Sequence, residues 1–132
     1  MQKRKKRIVI KVGSNVLARN NDGLDLKSIE QLTRQITTLN GQGIEIILIS
    51  SGAVAAGRSL IMPPKKTDEI SKRQLFAAVG QIKLINIYAE QFSKQGCLCA
   101  QVLVTKDDFR DREHYINMKN CISVLLQNNV IP

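Results

Sequence analysis

The run Ile46-Ile47-Leu48-Ile49-Ser50-Ser51-Gly52-Ala53-Val54-Ala55-Ala56-Gly57-Arg58 constrains the fold more than any other stretch of this chain. Four branched aliphatics end in two hydroxyls and a glycine, and small residues suited to a helix start follow. An apolar run this short, with no polar alternation, predicts a buried parallel strand. A strand that turns through Ser-Ser-Gly into a helix presents unpaired backbone N–H groups at the helix start, where partial positive charge suits a carboxylate or phosphate. The expected site is therefore an anion site at the carboxyl edge of a parallel sheet, where open α/β folds place their ligands. The competing reading is a plain helix cap, in which Ser51 closes the helix start and nothing binds.

The flanking segments extend this pattern. Arg7–Val12 (RIVIKV) predicts a first strand, which Gly13-Ser14-Asn15 breaks. Asn20-Asn21-Asp22-Gly23 is a turn by composition. Asp25 is placed to cap a helix carrying Ile29, Leu32, Ile36 and Leu39 at helical spacing, and Gly41 and Gly43 stop it. A second strand over 45–49 completes a strand–helix–strand unit, a connection that is right-handed almost without exception. After Gly52 a short helix runs to about residue 60, and Pro63-Pro64-Lys65-Lys66 forms a polar loop.

A long helical region then carries a stripe of Leu75, Val79, Ile82, Ile85, Ala89 and Phe92. Gly80 within it marks either a break or the close approach of another backbone. Gln95-Gly96 ends that helix, and residues 98–104 predict a third strand, which the chain leaves through Thr105-Lys106-Asp107-Asp108. A last helix over 113–126 presents Tyr115, Met118, Ile122 and Leu125 on one face. Asn128-Asn129 closes it, and Val130-Ile131-Pro132 reads as the start of a fourth strand.

Composition excludes several function classes. With 132 residues, 43% of them apolar and 23% charged, the chain fits one globular domain or part of a larger one. No apolar run reaches the roughly 20 residues of a membrane span, and no cleavage site follows the basic start, so a cytoplasmic location is expected. The net charge of +9 invites a nucleic-acid reading, but Lys3, Arg4, Lys5, Lys6 and Arg7 concentrate much of it in one terminal arm. No aromatics interleave with those cations to stack on bases. A solvated arm is therefore favoured over a polyanion-binding tail. The three cysteines, Cys97, Cys99 and Cys121, are expected to be reduced and buried. The single histidine, His114, is expected at the surface.

Chemistry concentrates at two strand ends. Lys11 stands one residue before the end of the first strand and is followed by Gly13 and Ser14. A lysine on a buried strand must reach a polar cleft, because an unpaired buried ammonium is too costly. A glycine beside it lets a ligand approach the backbone. A point charge next to exposed N–H groups is what phosphoryl transfer requires, since its catalysis is mostly positioning and charge neutralisation. The spacing is neither the Walker nor the dinucleotide pattern, and no Gly-x-Ser-x-Gly nucleophile is present. A snorkelling lysine beside a turn remains the structural alternative.

Taken together, five segments resemble the amino-acid kinase family, in its glutamate-phosphorylating branch. They are Ile10-Lys11-Val12-Gly13-Ser14-Asn15-Val16-Leu17, Ser51-Gly52-Ala53-Val54-Ala55-Ala56-Gly57-Arg58, Gln74-Leu75-Phe76-Ala77-Ala78-Val79-Gly80-Gln81, Gln101-Val102-Leu103-Val104-Thr105 with Asp108 beyond it, and Asn128-Asn129-Val130-Ile131-Pro132. The resemblance implies a three-layer α/β/α fold with a mainly parallel sheet, truncated before its second half. Residues 1–7 would be a basic arm, and 8–132 the glutamate-binding half of a kinase domain. It implies ATP-dependent phosphorylation of L-glutamate to L-glutamyl 5-phosphate in proline biosynthesis, with ATP and Mg2+ as cofactors. Lys11 would act catalytically on the phosphates, with Gly13 and Ser14 beside them. Ser51, Gly52 and Ala53 would hold glutamate, and Asp108 would lie in a region tied to feedback inhibition by proline. The full-length family member would be a homo-oligomer without membrane or nucleic-acid partners.

The family continues past the last segment into an Asn-Glu-Asn-Asp motif that completes the glutamate site, with the nucleotide-binding half later still. The resemblance therefore implies that these 132 residues alone are inactive. The alternatives are the kinase portion of a bifunctional pyrroline-5-carboxylate synthase and a non-catalytic polyanion-binding module.

Overall fold

The structure is a computed structural model that describes residues 6–18 and 23–132. Most of the basic arm, and Asn20-Asn21-Asp22 of the expected turn, lie outside the described residues. In chain order the elements are β1 (Arg7–Val12), α1 (Ser14–Leu17), α2 (Leu26–Gly41), β2 (Glu45–Ser50), α3 (Ala53–Arg58), α4 (Glu69–Ser93), β3 (Leu98–Cys99), α5 (Asp107–Arg110), α6 (Arg112–Gln127) and β4 (Val130–Ile131).

The first crossover forms as its sequence dictates. Asp25 accepts hydrogen bonds from the Lys27 and Ser28 amides and starts α2, and Gly43, at φ +81°, turns the chain into β2. β1 and β2 pair in parallel from Arg7 opposite Glu45 to Val12 opposite Ser50, and an Arg7–Glu45 ion pair of 2.6 Å closes the amino end. β3 and β4 pair in parallel as well. The Leu48 amide donates to the Pro132 carbonyl and the Ala100 amide to that of Ile131, both at 2.9 Å, so β4 stands between β2 and β3. The result is an α/β fold with parallel strands.

The core gathers Ile29 and Ile36 of α2, Leu84, Tyr88 and Phe92 of α4, and Val12, Leu17, Ile46 and Ile131. Ile8, Ile10 and Leu48 pack against it. Strand residues of the opposite parity do not share this burial: Val9 is 57% and Ile49 50% exposed. Against the expected buried strand, β2 is buried mainly on one face among the described residues. Among the described residues, α2 and α4 contribute to one cluster on one side of the β1–β2 ribbon, and its other face stays largely open.

The stripe expected on α4 is also rotated. The buried positions are Gly80, Leu84, Tyr88 and Phe92, four residues apart, while Ile82 is 66% exposed. The cause is the packing of α3. A Cβ on Gly80 would lie 1.8 Å from the Ala53 carbonyl oxygen, and one on Gly57 would lie 2.0 Å from that of Phe76. Gly80 is therefore a close approach of two backbones and not a break. Apolar periodicity counts glycine as nothing, so it places the buried face where the bulky residues are.

The third strand is shorter than expected, Leu98–Cys99 instead of 98–104. Its partner β4 offers two residues, and beyond Ala100 the segment has no ladder to join, leaving Leu103 and Val104 exposed. Cys97 precedes the strand, so the two neighbouring cysteines do not share it. Cys97 and Cys99 are half-buried, whereas Cys121 is exposed, against the expectation of three buried thiols. On α6, Asp111 caps the His114 amide, Leu126 is buried, and Met118, Ile122 and Leu125 are half-buried, while Tyr115 is exposed. A cavity of about 370 Å³ lies between β2, α4, residues 99–104 and α6. Among the described residues no helix is long and apolar enough to cross a membrane.

Candidate functional site

The two strand ends singled out in the sequence are brought together. The Ser51 amide donates to the Val12 carbonyl at 2.9 Å, which extends the β1–β2 ladder by one bond past its last paired residues. Lys11, Gly13 and Ser14 thus sit beside Ser50, Ser51, Gly52 and Ala53 at the carboxyl edge of parallel strands.

Lys11 lies opposite Ile49 on the open face and is exposed, with no hydrogen bond or ion pair among the described residues. The requirement for a polar cleft disappears, because the ammonium reaches solvent from the uncovered side of the ribbon. Gly13 follows in extended conformation, φ −79° and ψ 161°, which any residue adopts, and no atom of the described residues lies within 4 Å of where its Cβ would stand. Neither conformation nor packing requires a glycine there. Ser14 begins α1, is exposed, and makes no capping bond.

The β2 corner is built differently. Gly52 has φ +116° and ψ −7°, a conformation L side chains rarely adopt, and a Cβ there would meet Leu24 at 3.3 Å and Leu17 at 3.4 Å. Gly52 is itself the N-cap of α3, and no side chain caps that helix. The plain-cap reading of Ser51 is thereby corrected: its hydroxyl makes no hydrogen bond among the described residues, and the residue is exposed. The first helical bond runs from the Ala56 amide to the Gly52 carbonyl, so the amides of residues 53–55 precede the helical ladder.

One participant was not visible to sequence reasoning. Ser50 Oγ lies 2.7 Å from the Tyr88 hydroxyl and donates to the Ser51 carbonyl at 2.8 Å. Tyr88 is 4% exposed, and burial pushes its phenol above the ordinary value of 10. The apolar stripe passed over Tyr88 for Ala89. Spacing of four from Gly80 through Leu84 is the signal that would have found it.

Asp108 makes no hydrogen bond to this edge among the described residues. Its carboxylate accepts bonds from the amide and the hydroxyl of Thr105, and these hold its pKa below the ordinary 3.8. His114 Nδ1 lies 3.9 Å away, on an exposed side chain. Asp108, in the first turn of α5, therefore bonds back to Thr105 just ahead of that helix. Among the described residues no three His, Cys, Asp or Glu side chains stand together where they could hold a metal ion.

Comparison with known proteins bears on this geometry. The Amino acid kinase family matches residues 6–132. The chain is 58% identical over 126 residues to the glutamate 5-kinase of Bacteroides thetaiotaomicron, covering 96% of this chain and 35% of that protein. It is 48% identical over 127 residues to the glutamate 5-kinase of Chlorobaculum tepidum, again covering 96% and 35%. It is 44% identical over 130 residues to that of Maridesulfovibrio salexigens, covering 98% and 34%. The chain spans about a third of the length of these curated relatives. With a family match across all but the first five residues, and parallel strands whose carboxyl ends meet at Lys11 and Ser51, the chain belongs to the amino acid kinase family.

Proposed function

We propose that this chain forms the glutamate-holding part of an enzyme that phosphorylates the side-chain carboxylate of L-glutamate with ATP, the first step towards proline. The observation that carries this reading is the pair of bonded strand ends. It sets a lysine and a serine hydroxyl, both without partners among the described residues, at one sheet edge. Names of the relatives and membership of the family support the choice of substrate.

In the reaction a glutamate carboxylate oxygen bonds to the γ-phosphorus, the bond from that phosphorus to the β–γ bridging oxygen breaks, and ADP leaves. The γ-phosphoryl charge spreads over its oxygens as it moves, so a fixed cation at this point stabilises the transition state. Lys11 supplies that cation. Gly13, with open space where a side chain would stand, and Ser14 border the phosphates. Ser51 with the amides of Gly52 and Ala53 holds the substrate carboxylate. Mg2+, where it accompanies the nucleotide, would neutralise phosphate charge, and no side chain among the described residues is assigned to hold it. The part of the reaction we assign to this stretch of chain is the holding of glutamate, and turnover by the 132 residues alone is not expected.

Titration of the isotope-labelled chain by nuclear magnetic resonance tests this. Millimolar L-glutamate is expected to shift the amides of Ser51, Gly52 and Ala53, and Ser51→Ala to weaken that response about tenfold, as for one hydrogen bond to a charged group. Shifts confined to other parts of the chain would overturn the assignment of the pocket. Glutamate-dependent ADP release at the rate of a full-length relative would overturn the claim that the chain is inactive alone.

A further inference from the structure

The Ser50–Ser51–Gly52 corner carries a hydrogen-bond relay whose direction follows from proton counting. A serine hydroxyl has one proton to give. A carbonyl can only accept, so both contacts are satisfied together when Ser50 donates to the Ser51 carbonyl at 2.8 Å and accepts from the Tyr88 hydroxyl at 2.7 Å. The relay therefore runs from Tyr88 on α4 through Ser50 at the end of β2 to the peptide that joins Ser51 to Gly52. From the other side, that same segment is held by the Ser51 amide bonded to Val12.

The ring supplying the relay is fixed by its own packing. Tyr88 is 4% exposed and stacks on Phe92 with centroids 6.3 Å apart. One turn earlier on the same helix, Leu84 lies 3.6 Å from where a Cβ of Gly52 would stand. A single stripe of α4 thus touches both the bond before the corner and the glycine that makes it. The hydroxyl of Ser51, by contrast, is left unengaged among the described residues.

We propose that Tyr88 is the positioning residue of this corner, orienting the Ser51–Gly52 peptide through Ser50 so that the Ser51 hydroxyl and the following amides stay aimed at a carboxylate ligand. The ligand part rests on the reading of Ser51, Gly52 and Ala53 given above, whereas the positioning part can be read without any ligand. Tyr88 touches no substrate in this scheme and acts only through Ser50.

Tyr88→Phe in the 132-residue chain removes the hydroxyl and keeps the ring. Amide hydrogen exchange at Ser51, Gly52 and Ala53 is expected to quicken about threefold to tenfold, the factor of one neutral hydrogen bond, with the core amides of Leu84 and Phe92 unchanged. Ser50→Ala should give the same local effect from the other end of the relay, and Ser50→Thr, which keeps the hydroxyl, should not. The double variant should be no worse than Ser50→Ala alone, because both changes break one relay. L-glutamate affinity should fall severalfold in Tyr88→Phe and in Ser50→Ala and hold in Ser50→Thr.

Unchanged exchange at the corner in Tyr88→Phe, or additive effects in the double variant, would overturn the proposal. So would faster exchange with glutamate affinity intact, since the relay would then be structural only. Should Tyr88→Phe fail to fold, the Ser50→Ala and Ser50→Thr pair decides it alone. If the wild-type chain binds no glutamate, the substrate reading fails, and the exchange measurements still decide whether Tyr88 positions the corner.

Discussion

The two strand ends of the site lie side by side, yet they are held in opposite ways. After β2, nearly every residue has a structural reason: Gly52 for its backbone angle, Leu17, Leu24 and Leu84 around it, Ser50 for Tyr88, and Gly57 and Gly80 for the contact of α3 with α4. After β1, Gly13 has an ordinary conformation and open space, and Lys11 and Ser14 are exposed without partners among the described residues. The first corner is over-determined by folding. The second is under-determined, and a residue choice that folding does not explain is where a ligand becomes the better explanation.

Stability measurements can break or sharpen that contrast. The largest effect is expected at Gly80→Ala, whose methyl would be driven into the Ala53 carbonyl. A loss of about 3 kcal/mol, the upper end for overpacking, should appear in urea unfolding. Next comes the matched pair of corner glycines. Gly52→Ala should cost about 1–2 kcal/mol for its left-handed backbone alone. Gly13→Ala should stay within about 0.5 kcal/mol of wild type. Equal costs at the two glycines would erase the distinction.

The smallest effect concerns pH. The folded phenol of Tyr88 ionises above the ordinary value of 10, so the unfolded chain loses that proton first as pH rises. Stability from this group is complete below pH 10 and declines above it until the folded phenol also ionises. Urea midpoints measured from pH 9 to 11 should therefore fall more steeply for wild type than for Tyr88→Phe.

Much of this architecture is legible in the sequence. β1 has the residues expected of it, Asp25 caps α2, and the carboxyl-edge location of the site follows from the Ile46–Arg58 run. Legibility fails where a residue's role depends on its partner. The buried stripe of α4 is misplaced because Gly80 contributes contact without carrying any apolar side chain. The strand over 98–104 is paired only at Leu98–Cys99 among the described residues, because β-propensity marks residues suited to a ladder without supplying the partner. Ser51 looks like a cap because serine so often is one, and only the backbone shows Gly52 in that position. Tyr88 stays invisible because its hydroxyl finds a residue 38 positions away.

The approach of α3 to α4 also bears on how well ordered the Gly52 corner is. A six-residue helix is too short to persist in water on its own propensity. Where Gly57 and Gly80 meet the facing backbone, no rotamers are frozen, since glycine has none to lose. The corner of the site thus takes its rigidity from the 25 residues of α4, through a contact that costs no side-chain entropy.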